Sequence, residues 1–288
     1  MHETFLAPAK VNLTLQVLAR RDDGYHLLAM LMQRIALYDR IGITLTATPG
    51  VEVDCPGLEL SPGGENIAAG AARRMLELSG ASGGVKLTIE KSIPAAAGLG
   101  GGSSDAATVL AGLNQMLGVD LLPSQLRQEG LRLGADVPFF LFGAPAMARG
   151  VGEVLERAPL LPPHWYVLVN PGIEVPTAWA FQNLGLTSLR DEAKLPGFFA
   201  TADDLAQALR NDLEAVTIAR HPLLGEIKQQ LCEVGARGAL MSGSGATLFG
   251  VFAGEEEAQR AAEALSGASG WWVAVVPPVT SEQVLLRA

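Results

Sequence analysis

The residues with the clearest chemical potential lie in Ile93-Pro-Ala-Ala-Ala-Gly-Leu-Gly-Gly-Gly-Ser-Ser-Asp105, a segment that joins a predicted strand to a predicted helix. Glycines 98, 100, 101 and 102 let backbone N–H groups approach an anion without a Cβ in the way. The helix that follows aims the positive end of its dipole at the same point. Ser103 and Ser104 can donate to phosphate oxygens, and read alone they serve equally as caps of a glycine-rich connection. Two familiar nucleotide patterns are excluded. No Gly-Lys-Ser/Thr closes the segment, so it is not a Walker loop. The run also lies some ninety residues into the chain and has Ser103 where a dinucleotide fingerprint needs its third glycine.

The elements that must hold this segment can be read from periodicity. Val11, Leu13, Leu15 and Val17 alternate with Asn12, Thr14 and Gln16, which predicts a strand whose polar face carries Lys10 and Asn12. Strands are also expected at Ile41–Thr46, Val85–Glu90, Phe139–Phe142 and Ala146–Arg149. Helices are expected at Ile67–Leu78, Ser104–Leu117 and Ser124–Leu133. Asp105 reads as a helix-start carboxylate. The composition shifts at Leu-Leu-Pro-Pro-His164, just before the apolar strand Trp165–Val169, which divides the chain into residues 1–160 and 161–288. The second part alternates helices (Asp203–Leu209, Leu223–Val234, Glu255–Leu265) with strands (Ala239–Met241, Thr247–Phe252, Trp272–Val276), as an α+β layer does.

Composition limits the classes of function. The chain has 288 residues, a net charge of −9 and 18% charged residues, so no basic field exists to attract a nucleic acid or an anionic membrane. The longest charge-free stretch, Ala264–Ser281, is broken by Pro277-Pro278 and by glycines, unlike a membrane span. Cys55 and Cys232 stand far apart with no partner at metal spacing. The expectation is a cytoplasmic protein that acts on a small molecule.

Taken with other motifs, the glycine segment resembles the GHMP kinase superfamily, and the match runs over nearly the whole chain. Ala7-Pro-Ala-Lys-Val-Asn-Leu13 with Arg21-Asp-Asp-Gly-Tyr-His26 is similar to the opening of its members that phosphorylate a cytidylylated polyol. Pro94–Ser104 is similar to the ATP loop, and Gly134-Ala-Asp-Val-Pro138 to the segment with the catalytic aspartate. Pro171–Thr177, Asn211–Glu214 and Met241-Ser-Gly-Ser-Gly245 complete the order.

The resemblance implies an α+β, two-domain GHMP kinase fold, with an N-terminal ribosomal protein S5 domain 2-like part that binds ATP and a C-terminal ferredoxin-like α/β sandwich. It implies ATP as phosphoryl donor with Mg²⁺ as counter-ion, the metal's protein ligands being left unassigned. The implied acceptor is the 2-hydroxyl of 4-diphosphocytidyl-2-C-methyl-D-erythritol, and the implied state a monomer or weak homodimer. Another small alcohol such as homoserine or mevalonate, or a regulator without turnover, are the alternatives. By the same resemblance Asp136 is the base and Lys10 the cation beside it. Pro94, Ala95, Ala96, Ala97, Gly98, Leu99, Gly100, Gly101, Gly102, Ser103, Ser104 and Asn66 meet ATP. Asn12, Tyr25, His26, Thr177 and Phe181 meet the acceptor. Some family members carry glycine where this chain has Ala95–Ala97. Alanine adopts positive φ poorly, so either these angles are ordinary or the first half of the turn has shifted.

Overall fold

The computed structural model describes residues 1–57, 66–185, 190–266 and 270–288. Two long strands, β1 (His2–Arg20) and β2 (His26–Thr46), pair antiparallel along their length through a turn at residues 21–25. The strand expected at Ile41–Thr46 is therefore only the far end of β2. After β3 (Gly50–Asp54) comes helix α1 (Ile67–Ser79), capped at its start by Asn66, whose side chain accepts the Ala68 N–H at 2.9 Å, and closed by left-handed Gly80. β4 (Gly84–Glu90) leads through the glycine turn into α2 (Gly101–Met116), followed by α3 (Pro123–Leu133), α4 (Val137–Phe142), β5 (Ala146–Gly150) and β6 (Val154–Arg157).

Two expectations are corrected here. Phe139–Phe142 is helical, because Pro138 lies in the first turn of α4 and fixes a helical φ, and a short apolar run carries no period that would decide between helix and strand. α2 begins three residues before Ser104, inside the glycines, so Asp105 is not at the helix start but in its second turn, buried.

The second half starts at β7 (Trp165–Asn170) and continues through α5 (Thr177–Gln182), α6 (Ala202–Ala208), β8 (Arg210–Asn211), α7 (Glu214–Arg220), α8 (Leu223–Glu233), β9 (Gly238–Met241), β10 (Leu248–Phe252), α9 (Glu255–Ser266), β11 (Trp272–Val276) and β12 (Leu286–Arg287). Strands β7, β9, β10 and β11 form an antiparallel sheet in the order β11-β7-β10-β9. With α8 and α9 as crossovers this is the split βαβ arrangement.

The first sheet runs β12-β1-β2-β4-β3, with β5 and β6 branching from β2 and β8 adding to β1. β8 and β12 come from the second half of the chain, so the two halves share this sheet. β1 shows the consequence. Its apolar side chains are buried as the alternation requires, yet Lys10, Asn12, Thr14 and Gln16 on the polar face are buried too. The second half covers that face: the Asn12 N–H donates to Ser242 Oγ at 3.3 Å, and Gln16 accepts the Ala193 N–H at 2.9 Å. A polar strand face closed in this way must satisfy its groups internally or present them to a ligand.

Candidate active site

Lys10 lies where β1 passes under the glycine turn, its own N–H donating to the Leu99 carbonyl at 2.9 Å. Its side chain is 5% exposed and its ammonium donates to Asn12 Oδ1 at 2.5 Å. It stands 3.6 Å from Asp136 Oδ2. Asp136 heads α4, but its side chain makes no cap hydrogen bond, and it is 33% exposed. The carboxylate therefore faces the cleft with capacity to spare. A solvated lysine and a turn-capping aspartate, the ordinary readings of these residue types, do not describe this pair.

The glycine turn is anchored by its carbonyls. Leu99 O takes the Lys10 N–H, Ala97 O takes the Thr247 N–H at 3.3 Å, and Gly98 O takes the Ser242 hydroxyl at 2.9 Å. Ala97 and Leu99 are buried beneath it. With the carbonyls facing the protein, the first N–H groups of α2 remain, those a helix leaves without an internal partner. Gly98 has φ +76, and a Cβ there would lie 2.1 Å from Ser242 O. Gly100 has φ +72, and a Cβ there would touch Lys10 and Phe140 at 3.0 Å. Of the three alanines only Ala96 has a positive φ, +50, so the turn keeps a left-handed residue at that point even without glycine. Gly98 and Ser103 line the cleft. Ser104 is turned inward, and its hydroxyl finds no partner among the described residues.

From Lys10 and Asp136 the cleft, of about 730 Å³, extends past Met30 and Leu28 to His26 and Phe181. These two rings stack with centroids 4.9 Å apart and planes 23° apart. His26 opens β2, Phe181 lies in α5, and Tyr25 beside them is 63% exposed. Burial, then the charge of Arg20, lower the His26 pKa, so the imidazole is neutral at pH 7 and offers one donor and one acceptor. Thr177 at the start of α5 exchanges a hydrogen bond with Ser244 at 2.9 Å. Asn66 is not among the residues lining the cleft; its side chain carbonyl is committed to capping α1.

Sequence reasoning missed Arg20, Gly243 and Ser244, which also line the cleft, and the pair Asp39 and Lys91 behind the turn. Met241–Gly245 pointed to Gly243 and Ser244 as parts of a motif, without roles, while nothing singled out Arg20. Nothing in the sequence pairs position 39 with 91. Among the described residues no three His, Cys, Asp or Glu side chains gather as a metal group. No helix among them is long and apolar enough to cross a membrane.

A two-layer α+β fold with a glycine turn and a Lys–Asp pair beside it on one cleft defines a class, small-molecule kinases of the GHMP type. The models for the GHMP kinases N terminal domain and the GHMP kinases C terminal domain match residues 66–144 and 198–269. The 4-diphosphocytidyl-2-C-methyl-D-erythritol kinase of Syntrophotalea carbinolica is 58% identical over 96% of this chain and 99% of its own length. A crystal structure of 4-(cytidine 5'-diphospho)-2C-methyl-D-erythritol kinase superposes with a TM-score of 0.78 at 40% identity, covering 95% of this chain and 99% of that one. Homoserine kinase from Cytophaga hutchinsonii shares the fold, with a TM-score of 0.73 at 19% identity over 99% of this chain and 96% of its own. The chain belongs to the GHMP kinases and, within them, to the family of 4-diphosphocytidyl-2-C-methyl-D-erythritol kinases.

Proposed function

We propose that the protein transfers the γ-phosphoryl group of ATP to the 2-hydroxyl of 4-diphosphocytidyl-2-C-methyl-D-erythritol, releasing ADP and the 2-phosphate. The observation that carries this reading is the Lys10 ammonium 3.6 Å from the Asp136 carboxylate, both on the cleft beside the glycine turn. Phosphoryl transfer asks the protein chiefly for position and charge. Asp136 accepts the hydroxyl proton as the acceptor oxygen attacks. Lys10, oriented by Asn12, holds that oxygen in line and offsets negative charge as it develops. The N–H groups from Gly98 to Ser103 hold the phosphates at the start of α2. Mg²⁺ carried by the nucleotide supplies further charge neutralisation when bound, and every role assigned here to a side chain stands without it.

At the far end Tyr25, His26 and Phe181 hold the cytosine. Aromatic faces stack on the base, and a neutral imidazole can both donate to and accept from its polar edge. Thr177 and Asn12 border the polyol and its phosphates. Residues 1–160 supply the nucleotide site and residues 161–288 the cover. The start of the second sheet at Trp165 supports this division. Soluble, cytoplasmic turnover as a monomer or weak homodimer completes the reading.

Coupled ADP-release assays with 4-diphosphocytidyl-2-C-methyl-D-erythritol, homoserine and mevalonate test it. The expected result is a kcat/KM for the cytidylyl substrate at least about a thousandfold above the other two, since a site built to hydrogen-bond a base rejects acceptors that lack one. Comparable rates with all three would reduce the reading to an alcohol kinase of unknown specificity.

A further inference from the structure

Behind the glycine turn lies a cluster of charge that takes no part in the transfer described above. Lys91 follows the last residue of β4, and its ammonium bonds two carboxylates, Asp39 on β2 and Asp105 on α2, the latter at 2.8 Å. The two aspartate side chains are 0% and 4% exposed. Asp39 does more than pair with the lysine, because its second oxygen accepts the Ser92 and Ile93 N–H groups at 2.6 and 2.9 Å. These are the residues that lead into the turn, while Asp105 belongs to the helix that leads out. A Cβ on Gly101 would lie 3.2 Å from the Lys91 nitrogen, so the first residue of α2 rests directly on the ammonium.

We infer that Lys91 is a positioning residue for nucleotide binding: its ammonium, held between Asp39 and Asp105, ties the two ends of the glycine turn together and aims its N–H groups into the cleft before the nucleotide arrives. The inference rests on the reading of the turn as the ATP site. The physical gain is preorganisation. A flexible loop must lose conformational freedom when it closes on a ligand, and a loop with pinned ends has already lost it.

The charge balance fits this role. Two carboxylates and one ammonium would leave a negative charge under an anion site. Burial, joined by the charge of Asp39 and opposed by Lys91, pushes the Asp105 carboxyl up to about 7. Its Oδ1 has no hydrogen-bond partner among the described residues, so Lys91 on Oδ2 is left to offset the burial. The lysine itself stays charged: burial works against it, yet the two aspartates outweigh burial and raise its pKa.

The test is made on the full chain with a non-hydrolysable ATP analogue and with steady-state kinetics. Lys91→Met is expected to weaken analogue binding and raise the ATP KM by about tenfold or more, with kcat within about threefold and the KM for the cytidylyl substrate within about twofold. Asp105→Asn, which keeps a carbonyl for Lys91 to bond, is expected to bind the analogue within about threefold of the parent, and Asp105→Ala about fivefold more weakly. Parental analogue affinity in Lys91→Met overturns the inference, and so does an equal rise in both KM values, since that marks general packing. If Lys91→Met does not fold, the Asp105 variants decide, and equal affinity in the Ala and Asn forms overturns it. Failure of the parent protein to bind the analogue defeats the nucleotide reading instead, and is distinguished by appearing without any substitution.

Discussion

The two ends of the cleft are built differently. At the phosphoryl end every group is held by a regular element and a named partner: Lys10 by β1 and Asn12, the turn by three carbonyl anchors, Asp136 by the start of α4. At the aromatic end Tyr25 and His26 leave a five-residue turn between strands, and Phe181 belongs to a helix of six residues. At the first end Lys10 is buried and Asp136 is 33% exposed, while the second keeps Tyr25 63% exposed. On the proposed reading, the contrast suits the chemistry assigned to each end. In-line transfer loses rate steeply with sub-ångström misplacement, whereas stacking on a base tolerates adjustment. Substitutions at the rigid end should therefore act on kcat, and those at the exposed end on KM.

The largest effect is expected for Asp136→Asn, with turnover falling by about a thousandfold or more and ATP affinity within a few-fold, because a base is removed with little change of shape. Initial rates together with nucleotide titration check it, and near-parental kcat would erase the distinction between the ends. Next comes the buried support of the rigid end. The Asp105 carboxyl stands at about 7 in the fold against an ordinary 3.8, so the stability it contributes by staying protonated is complete below about pH 4 and is lost as pH rises through about 7. Asp105→Asn carries no such loss. Its stability relative to the parent should grow by ~2 kcal/mol between about pH 5 and pH 8, followed by thermal melting. A pH-independent difference would mean that the carboxyl titrates normally.

At the exposed end Tyr25→Ala and Phe181→Ala should each raise the KM for the cytidylyl substrate by about tenfold and leave the ATP KM within about twofold. Equal rises in both would remove the base from this end. The smallest effect is expected at Ala96, whose φ of +50 costs an L-residue ~1 kcal/mol. Ala96→Gly should raise the melting temperature by about 2 °C with unchanged kinetics, and a lower melting temperature would show that the alanine methyl packs more than it strains.

Much of this contrast is legible in the sequence, though unevenly. The alternation through Val11–Val17 fixes the face on which Lys10 and Asn12 lie, and Gly80 ends α1 where glycine allows a left-handed cap. The sequence does not show that the polar face of β1 becomes an interior. That depends on the Ser242 loop and the segment at Ala193, contributed by residues some two hundred positions away. α4 was hidden for a local reason, since a run as short as Phe139–Phe142 has no period. The stacked pair His26 and Phe181 follows from placing α5 across from the β1–β2 turn, and the bridge from Lys91 to Asp39 and Asp105 from packing β4 beside β2 under α2. Pattern reports the faces of single elements, and contacts between elements need the fold.

The central claim, that one cleft brings an acceptor hydroxyl to Asp136 and Lys10 under the glycine turn, is tested most directly by a crystal structure of the ternary complex with a non-hydrolysable ATP analogue and the cytidylyl alcohol. The expected result places the 2-hydroxyl oxygen about 2.6–3.2 Å from the Asp136 carboxylate, in line with the terminal phosphate, and the cytosine against His26 and Phe181. A terminal phosphate bound away from Gly98–Ser103, or a hydroxyl beyond reach of Asp136, would contradict it.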